Sequence, residues 1–344
     1  MKLPIPFDYP PMEADTAQTI PDGPLWQYEP KWDGFRCLAF RQGKHLELMS
    51  KSGQPLTRYF PELASALLDL NAEEFVLDGE IIIRRKESLN FDALLQRIHP
   101  AESRIRKLSA ETPAELVVFD LLVMPSGSNM TGQPLERRRR ELEAFARKFL
   151  ESSTTVRLSP ATQDFERARS WLKEMAGALD GVIAKRVDLP YNSGERHAML
   201  KIKNLRTADC VVGGFRYGSK TQEVGSLLLG LYNEKGLLDH VGFTSGLSRS
   251  QKQKLTAELE SLIEAPGFTG AAPGGPSRWS TERSSEWKPL APKLVVEVQY
   301  DHFSGRRFRH GTKLLRFRPD KRPEACTMQQ VRRESLSPMD LLSH

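Results

Sequence analysis

Cysteine is scarce in this sequence: its 344 residues include three cysteines, Cys37, Cys210 and Cys326, which lie far apart and are odd in number. Such a set forms neither a disulfide framework nor the closely spaced pairs of a zinc site. The pattern therefore argues against the small disulfide-bonded secreted class and the zinc-ribbon class. We expect the chain to reside in a reducing, cytoplasmic environment.

Long hydrophobic runs are missing as well. No stretch of about 18 consecutive apolar residues occurs, so the sequence predicts no transmembrane helix and no membrane partner. Residues 1–11 contain prolines and no apolar core, so a signal peptide is not expected. There is no internal repeat and no long low-complexity tract. These absences together indicate a soluble globular protein.

The chain is rich in charge of both signs, with a basic excess. Lysine and arginine number 50 against 44 acidic residues, which gives a formal net charge of +6 and a pI of about 9.1. This excess is mild support for a polyanionic partner. Hydrophobic residues make up 39%, enough for a substantial core, and the length favours two or more domains.

The first two-thirds of the chain alternates short apolar runs with amphipathic helical patterns. The apolar runs predict strands at Glu74–Ile83, Leu116–Val123 and Gly181–Lys185. Helices are predicted at Phe60–Leu70 and Glu136–Leu150. The second helix contains four consecutive arginines flanked by glutamates, at residues 137–140, and such a run usually forms a solvated face rather than a DNA contact.

The last third has a different texture, with short strands separated by polar turns. Strands are predicted at Cys210–Tyr217, Ser226–Tyr232 and Leu294–Tyr300, and a helix at Ser250–Glu264. The segment Pro266–Ser277 is rich in glycine, proline and alanine, which predicts a mobile loop. Short strands with glycine-rich turns suggest a small β-barrel.

This change in the pattern of predicted strands and helices sets the expected domain boundary. It falls between Asn204 and Thr207, so the sequence predicts one domain at residues 1–205 and a second at residues 206–344.

The hexapeptide Lys31–Arg36 reads Lys-x-Asp-Gly-x-Arg and has the composition of an activated-lysine site. An ordinary lysine has a pKa of about 10.4 and is protonated at neutral pH. Desolvation or a neighbouring cation such as Arg36 lowers that pKa and frees the amine as a nucleophile. Gly34 permits close approach of the backbone to a ligand. On the hexapeptide alone, an exposed turn is equally acceptable.

Further polar residues interrupt otherwise apolar strands. Asp78 and Glu80 are two apart and share a strand face, where an acid is costly unless it is paired or bound to metal. Lys201 and Lys203 also share a face, which suits a phosphate, although an edge strand with solvated lysines would look the same. Phe119 could equally be a core residue. Each of these features alone has an ordinary structural explanation.

Taken in order along the chain, these features resemble the motifs of the covalent nucleotidyltransferases, a superfamily of ATP-dependent DNA ligases, RNA ligases and mRNA capping enzymes. The matching segments are Lys31–Arg36, Ser50–Gly53, Asp78–Glu80, Val118–Asp120, Asp180–Lys185, Leu200–Lys203 and Arg316–Lys321. The resemblance is greatest to small bacterial ATP-dependent DNA ligases, of the ligase C type and the ligase domain of ligase D. It implies an α+β fold: a nucleotidyltransferase domain, ATP-grasp-like, with antiparallel sheets, followed by an OB-fold β-barrel.

The resemblance also implies a reaction that begins at Lys31. In such enzymes this lysine attacks the α-phosphate of ATP and carries AMP covalently, AMP then passes to the 5′-phosphate of a nick, and the 3′-hydroxyl displaces it. Arg318 and Lys321 would orient the departing pyrophosphate when the barrel domain swings over the nucleotide. Glu80 and Asp180 would bind a divalent cation, Mg²⁺ or Mn²⁺.

The nucleotide-binding residues are likewise implied by the resemblance. Glu29 would contact the adenine amino group, and Phe119 and Ile183 would lie against the two faces of the adenine ring. Arg36 and Lys51 would hold the ribose or phosphate, and Lys201 and Lys203 would grip the α-phosphate. Glu80 and Lys185 complete the implied nucleotide-binding set.

Two positions depart from the family pattern. Lys51 stands where the family usually has arginine, and lysine lacks the two parallel hydrogen bonds that arginine forms with phosphate. Asp180 stands where DNA ligases usually have glutamate and capping enzymes have aspartate. An RNA ligase or a capping-type guanylyltransferase is therefore the first alternative function. A non-catalytic nucleic-acid-binding protein on a ligase scaffold is the second, and the presence of the implied nucleophile, acids and lysines argues against it.

A basic strip near the C-terminus is the predicted DNA contact. Its DNA-binding residues are Arg306, Arg307, Arg309, Lys313 and Arg316. Such a strip on a small barrel suits a phosphate backbone, with a solvated edge as the alternative. We expect nicked duplex DNA as the partner, a monomer that associates with the nucleoid when it acts on DNA, and a role in repair. The sequence names no partner protein.

Overall fold

The computed structural model describes residues 3–85, 88–175, 179–219, 221–247, 249–274, 286–332 and 341–342. Contacts divide the chain into two units, Met1–Asn204 with Ser335–His344, and Leu205–Glu334. The sequence predicted domains at 1–205 and 206–344. The contacts differ from this division by grouping Ser335–His344 with the first unit. Leu341 and Leu342, its described residues, pack in a cluster of that unit. Among the described residues no helix has the length and apolarity needed to cross a membrane.

The first unit is built on two β-sheets. Its strands are β1 Asp15–Ala17, β2 Trp26–Lys31, β3 Phe35–Gln42, β4 His45–Ser50, β5 Glu74–Arg85, β6 Ser88–Leu89, β7 Ala114–Val123, β8 Val156–Leu158, β9 Gly181–Arg186 and β10 Met199–Lys203. One sheet has the order β1-β10-β9-β2, and the other has the order β4-β3-β5-β7-β8, with β6 beside β5. Neighbours are antiparallel except for β1 with β10 and β7 with β8.

Helices cover these sheets. They are α1 Pro61–Leu68, α2 Phe91–Arg97, α3 Glu102–Glu111, α4 Leu135–Phe149 and α5 Phe165–Glu174. Local sequence explains where two of them begin. Asn90 accepts a hydrogen bond from the amide of Ala93 at 3.1 Å, and Asp164 accepts one from Glu166 at 2.8 Å, so each caps its helix. The predicted strands and helices of this unit are confirmed, with ends that differ by at most two residues.

The expectation that the arginine run of α4 is solvated holds for Arg137 and Arg140, which are exposed, but it was wrong for the two arginines between them. Arg138 is fully buried, and its guanidinium donates to both carboxylate oxygens of Asp120, at 2.9 and 3.0 Å. Arg139 is also buried and donates to the carbonyl of Ser159 at 2.9 Å. The acceptors come from other elements of the fold, so the helix sequence alone could not separate these two arginines from exposed Arg137.

The second unit contains eight strands, one α-helix and two short 3-10 helices in its described part. The strands are β11 Arg206–Tyr217, β12 Val224–Tyr232, β13 Leu238–Thr244, β14 Lys288–Pro289, β15 Val295–Tyr300, β16 Phe303–Ser304, β17 Arg307–Phe308 and β18 Lys313–Phe317, with α6 Arg249–Glu260 after β13. The main sheet has the order β13-β12-β11-β15-β18.

The two outer strands of this sheet meet, as the OB-fold predicted from the sequence requires. The amide of Thr312, just before β18, donates to the carbonyl of Phe243 in β13 at 3.1 Å, and Thr244 bridges Thr312. The resulting order of five main strands, with a helix between the third and fourth, is that of an OB-fold. The inner side chains form a single apolar core.

The loop predicted at Pro266–Ser277 is packed against the barrel in its described part. Phe268 is buried, and the amide of Ala271 donates to Asp239 Oδ1 at 2.7 Å. Residues 275–277 of this prediction lie outside the described residues.

We predict that Arg138→Met strongly destabilises the protein. The substitution leaves the carboxylate of Asp120 buried without its cation, which typically costs about 3–5 kcal/mol. Arg137→Met is the matched control, because Arg137 is exposed on the same helix and contacts Gln133. Urea unfolding of both variants measures the difference, and an equal loss of unfolding free energy in the two would contradict the buried ion pair.

Candidate active site

Three neighbouring strands of the first sheet present alternate side chains on one face. Because side chains alternate along a strand, paired residues form rows across the sheet. The rows across β2, β9 and β10 are Gln27–Lys185–Met199, Glu29–Ile183–Lys201 and Lys31–Gly181–Lys203. Strand pairing therefore aligns most of the polar residues that the sequence singled out.

Two glycines permit the close backbone contacts around these rows. Gly181 has a φ of 144°, and a Cβ there would lie 2.0 Å from the carbonyl oxygen of Ile202. A Cβ on Gly34 would lie 2.1 Å from the carbonyl oxygen of Ile81. A larger residue at either position would force the strands apart.

The second sheet provides the other wall of a pocket. Arg36 on β3, Glu80 on β5 and Phe119 on β7 line it, and Arg36 pairs directly with Glu80 across the two strands. The pocket residues that the sequence had singled out are Glu29, Lys31, Arg36, Lys51, Glu80, Phe119, Ile183, Lys185 and Lys201. Lys203 lies in the same row as Lys31, and Asp180 contacts Lys31. The fold thus brings these residues together, while their individual roles remain predictions.

A buried ion pair lies at the adenine end predicted for the pocket. Lys185 Nζ lies 2.7 Å from Glu29 Oε2, and both side chains are about 3% exposed. Gln27 donates to the other oxygen of Glu29 at 2.8 Å. Lys185 also lies 4.4 Å from the ring centre of Phe119, and the guanidinium of Arg36 lies 4.6 Å from it. Glu29 is therefore held in one position by two neighbours.

The candidate nucleophile is paired with the candidate metal ligand. Lys31 Nζ forms an ion pair with Asp180 Oδ2, and the amide of Asp180 donates to the carbonyl of Lys31 at 3.0 Å. The Lys31 side chain is about 21% exposed, so it borders the open space of the pocket. This arrangement fixes the amine beside a carboxylate and leaves it accessible to a ligand.

Glu80 has an unusual protonation state. Burial raises its pKa to about 8, an effect that Asp33 and Asp78 reinforce and that Lys31 and Arg36 oppose. The cations nearby therefore do not offset the cost of ionising Glu80 at neutral pH. Glu80 and Asp180 fit a divalent cation by their chemistry, because both offer hard carboxylate oxygens and a cation would favour the ionised form of Glu80.

The opposite end of the pocket is electropositive. Glu13 bridges Lys51 at 3.2 Å and Arg196 at 2.9 Å. Burial lowers the pKa of Lys201, and the charges of Lys31, Lys203, Lys51 and Arg196 lower it further. A lysine surrounded by other cations in this way suits a polyanionic ligand such as a phosphate chain.

In the second unit Arg318 and Lys321 share one acidic partner. Asp209 Oδ1 lies 3.0 Å from Arg318 Nη1, and Asp209 Oδ2 lies 3.1 Å from Lys321 Nζ. Arg318 also binds Asp320 at 2.8 Å, and this hydrogen bond, followed by the charge of Asp209, raises its pKa. Both predicted catalytic cations are therefore assembled side by side on the surface of the barrel.

The residues predicted to bind DNA lie at the same end of the chain. Arg306, Arg307, Lys313 and Arg316 are exposed, and Arg309 is partly buried. Arg316 and Arg307 each contact a side chain of the same unit. Arg316 Nε lies 2.7 Å from Glu297 Oε2, and Arg307 Nη2 lies 2.7 Å from His240 Nδ1. Their contact with DNA remains a prediction.

Sequence reasoning missed several residues of these sites. Glu13, which lines the pocket, and Arg196, which pairs with it, lie outside the motifs, and Asp209 was not singled out. The segment Pro11–Ala14 lines the pocket although it precedes the first matched motif. An acid within an apolar strand, as at Asp209, was the one available signal.

Family models match both units. The model described as ATP dependent DNA ligase domain matches residues 11–203, and the model described as ATP dependent DNA ligase C terminal region matches residues 220–321. DNA ligase C of Mycobacterium tuberculosis is 42% identical over 348 residues, covering 97% of this chain and 96% of that protein.

Two further comparisons extend the likeness. The multifunctional non-homologous end joining DNA repair protein LigD of Mycobacterium tuberculosis is 30% identical over 303 residues, covering 87% of this chain and 37% of LigD. A solved Lig E DNA ligase shares the fold with a TM-score of 0.55 at 16% identity, covering 90% of this chain and 99% of that one.

We predict that His240 makes the protein sensitive to acid. Burial, followed by the charges of Arg307 and Arg216, lowers its pKa from 6.5 to about 3. Between these values the unfolded chain binds a proton that the folded protein does not, so the free energy of unfolding falls as pH drops from 6.5 towards 3. His240→Gln should reduce that slope. His310→Gln, at an exposed histidine of the same unit, should retain it, and equal slopes in wild type and His240→Gln would contradict the prediction.

Proposed function

The chain belongs to the ATP-dependent DNA ligase family, and on that premise we propose that it seals 5′-phosphate/3′-hydroxyl nicks in duplex DNA through AMP bound covalently to Lys31. The observation that supports this mechanism best is the pocket in which Lys31 shares one sheet face with Glu29 and Lys201. A nucleophilic amine, a base-binding carboxylate and phosphate-binding cations are there within reach of one nucleotide.

The first step joins AMP to the protein. Lys31 Nζ attacks the α-phosphorus of ATP, a nitrogen–phosphorus bond forms, and the bond to the pyrophosphate oxygen breaks. Asp180, already hydrogen-bonded to Nζ, is placed to take the proton that the amine loses. Covalent catalysis of this kind divides a difficult condensation into easier steps.

The remaining pocket residues hold the nucleotide. Glu29, fixed by Lys185 and Gln27, presents a carboxylate to the adenine amino group. Phe119 and Ile183 provide the apolar walls for the ring. Arg36 and Lys51 hold the ribose or phosphate of the bound nucleotide. Lys201 and Lys203 grip the α-phosphate, where preorganised positive charge stabilises the developing negative charge.

A divalent cation, Mg²⁺ or Mn²⁺, would be held by Glu80 and Asp180. When bound it would neutralise charge on the reacting phosphate. Burial raises the pKa of Glu80 to about 8, and a bound cation would supply the positive charge that favours its ionised form.

The later steps act on DNA. AMP is transferred from Lys31 to the 5′-phosphate of the nick, which turns that phosphate into an activated centre. The 3′-hydroxyl then attacks it, a phosphodiester bond forms and AMP leaves. Arg306, Arg307, Arg309, Lys313 and Arg316 bind the phosphate backbone, so affinity should fall steeply with salt.

We propose a role in DNA repair, supported by the likeness to LigD, whose name assigns it to end joining. The three cysteines are free and buried, which fits a reducing cytoplasm, where the nucleoid holds the substrate. One catalytic pocket with all its parts in a single chain is compatible with a monomer.

The decisive experiment tests AMP attachment. Purified protein is incubated with α-labelled ATP or GTP and Mg²⁺ and run on a denaturing gel. We expect labelling with ATP, loss of the label on addition of nicked DNA with strand joining, and no label in Lys31→Ala, which still binds DNA. Label retained on Lys31→Ala would contradict the nucleophile assignment, and labelling by GTP alone would favour the capping class.

Arg318→Ala should separate the first step from the last. Because Arg318 is proposed to act on the departing pyrophosphate, its loss should slow AMP attachment by about 100-fold, the scale of one lost electrostatic donor. Sealing of pre-adenylylated DNA should fall far less. Arg322→Ala is the matched control, since Arg322 is exposed on the same surface and pairs with Glu324 at 3.6 Å. Equal loss in both assays would argue against the pyrophosphate role.

A further inference from the structure

One tyrosine outside the matched motifs connects two walls of the nucleotide pocket. Tyr191 lies between β9 and β10 and is about 4% exposed. Its hydroxyl accepts a hydrogen bond from the amide of Met12 at 3.0 Å and donates one to Asp78 Oδ2 at 2.7 Å. These partners are 179 and 113 residues away in sequence, so the hydroxyl joins segments that the chain order keeps apart.

The hydrogen bonds form a closed ring. Asp78 is fully buried, and Arg36 donates to both its oxygens, each at 2.5 Å. Arg36 Nη2 also reaches the carbonyl oxygen of Met12 at 3.5 Å. The ring therefore runs from Met12 through Tyr191 and Asp78 to Arg36 and back to Met12.

Two members of this ring line the pocket. Met12 belongs to the segment Pro11–Ala14, which forms one wall, and Arg36 projects from the opposite sheet beneath Phe119. Asp78 and Tyr191 lie behind them and do not line the pocket. A nucleotide in the pocket would thus touch Arg36 and the wall, while Tyr191 would act on it only through these two.

The ring of Tyr191 is itself fixed. The guanidinium of Arg138 lies 5.5 Å from its centre, and Tyr9 stacks on it at 6.2 Å. Burial and the charge of Asp78 raise its pKa, so the hydroxyl keeps its proton and remains a donor. Phenylalanine could fill the same space, but it would leave the amide of Met12 without its acceptor and Asp78 without one donor.

We propose that Tyr191 is a positioning residue for nucleotide binding, whose hydroxyl fixes Arg36 and the Pro11–Ala14 wall in the geometry that receives ATP. This inference rests on the proposed function. Because Arg36 binds the ground state, loss of its alignment raises KM for ATP and leaves the rate at saturating ATP nearly unchanged.

The test compares two tyrosine variants by the rate of AMP attachment at varied ATP. Tyr191→Phe should raise KM for ATP about tenfold, and kcat should stay within twofold of wild type. Tyr28→Phe is the matched control, because Tyr28 is equally buried in the same unit and its hydroxyl donates to the carbonyl of Pro21 at 2.7 Å, outside the pocket lining. It should keep the wild-type KM.

A second measurement distinguishes positioning from general loss of structure. In an Arg36→Lys background, which keeps a cation beside Asp78 but loses the two-pronged hydrogen bond, Tyr191→Phe should raise KM little further, because the two residues act through one interaction. This inference alone would be overturned if the effects of the Tyr191 and Arg36 substitutions on KM were fully additive. It would also be overturned if Tyr191→Phe left KM unchanged while wild type is labelled normally. Failure of wild type to take up AMP at all would overturn the proposed function together with it.

Discussion

The buried carboxylate of Asp78 is the constraint on which the nucleotide pocket depends. A fully buried carboxylate is stable only when its charge is matched and its oxygens are hydrogen-bonded. Here Arg36 supplies the charge through two hydrogen bonds and Tyr191 supplies a third. Because Arg36 must stay with Asp78, its guanidinium has a fixed position beside Phe119. The requirement to bury one acid thereby places a cation where the ligand will lie.

The same principle governs the other charges of the two units. Asp120 fixes Arg138, Glu29 fixes Lys185, and Asp209 fixes both Arg318 and Lys321. In each case a carboxylate on one strand holds a cation from elsewhere in the fold. Glu80 differs, because the cations near it do not offset its burial, and its raised pKa marks it as the acid that lacks compensation. A ligand or cation that supplies positive charge would therefore have its largest effect on the protonation of Glu80.

Family membership and the α+β fold with its OB-fold domain followed from ordered motifs and are confirmed. Alternation along strands also placed Lys201 and Lys203 on one face, because that rule is local. What the sequence could not supply were partners that only tertiary structure brings close. Arg138 was expected in solvent because Asp120 lies on another element, and Glu13 was overlooked because its contacts, Lys51 and Arg196, are distant in the chain. The roles of the site residues remain predictions.

In the row Lys31–Gly181–Lys203 the backbone of the sheet fixes the distance between the two lysines. Neighbouring strands lie about 4.8 Å apart, so two steps across the sheet separate the Cα atoms of the two lysines by roughly 10 Å. That width is set by hydrogen bonds between strands, so substitution of either lysine leaves it unchanged. The glycine between them adds no side chain to fill the gap. Evolution or design can therefore alter the length and charge of the side chains at positions 31 and 203. The distance between their Cα atoms stays constant as long as the sheet is intact.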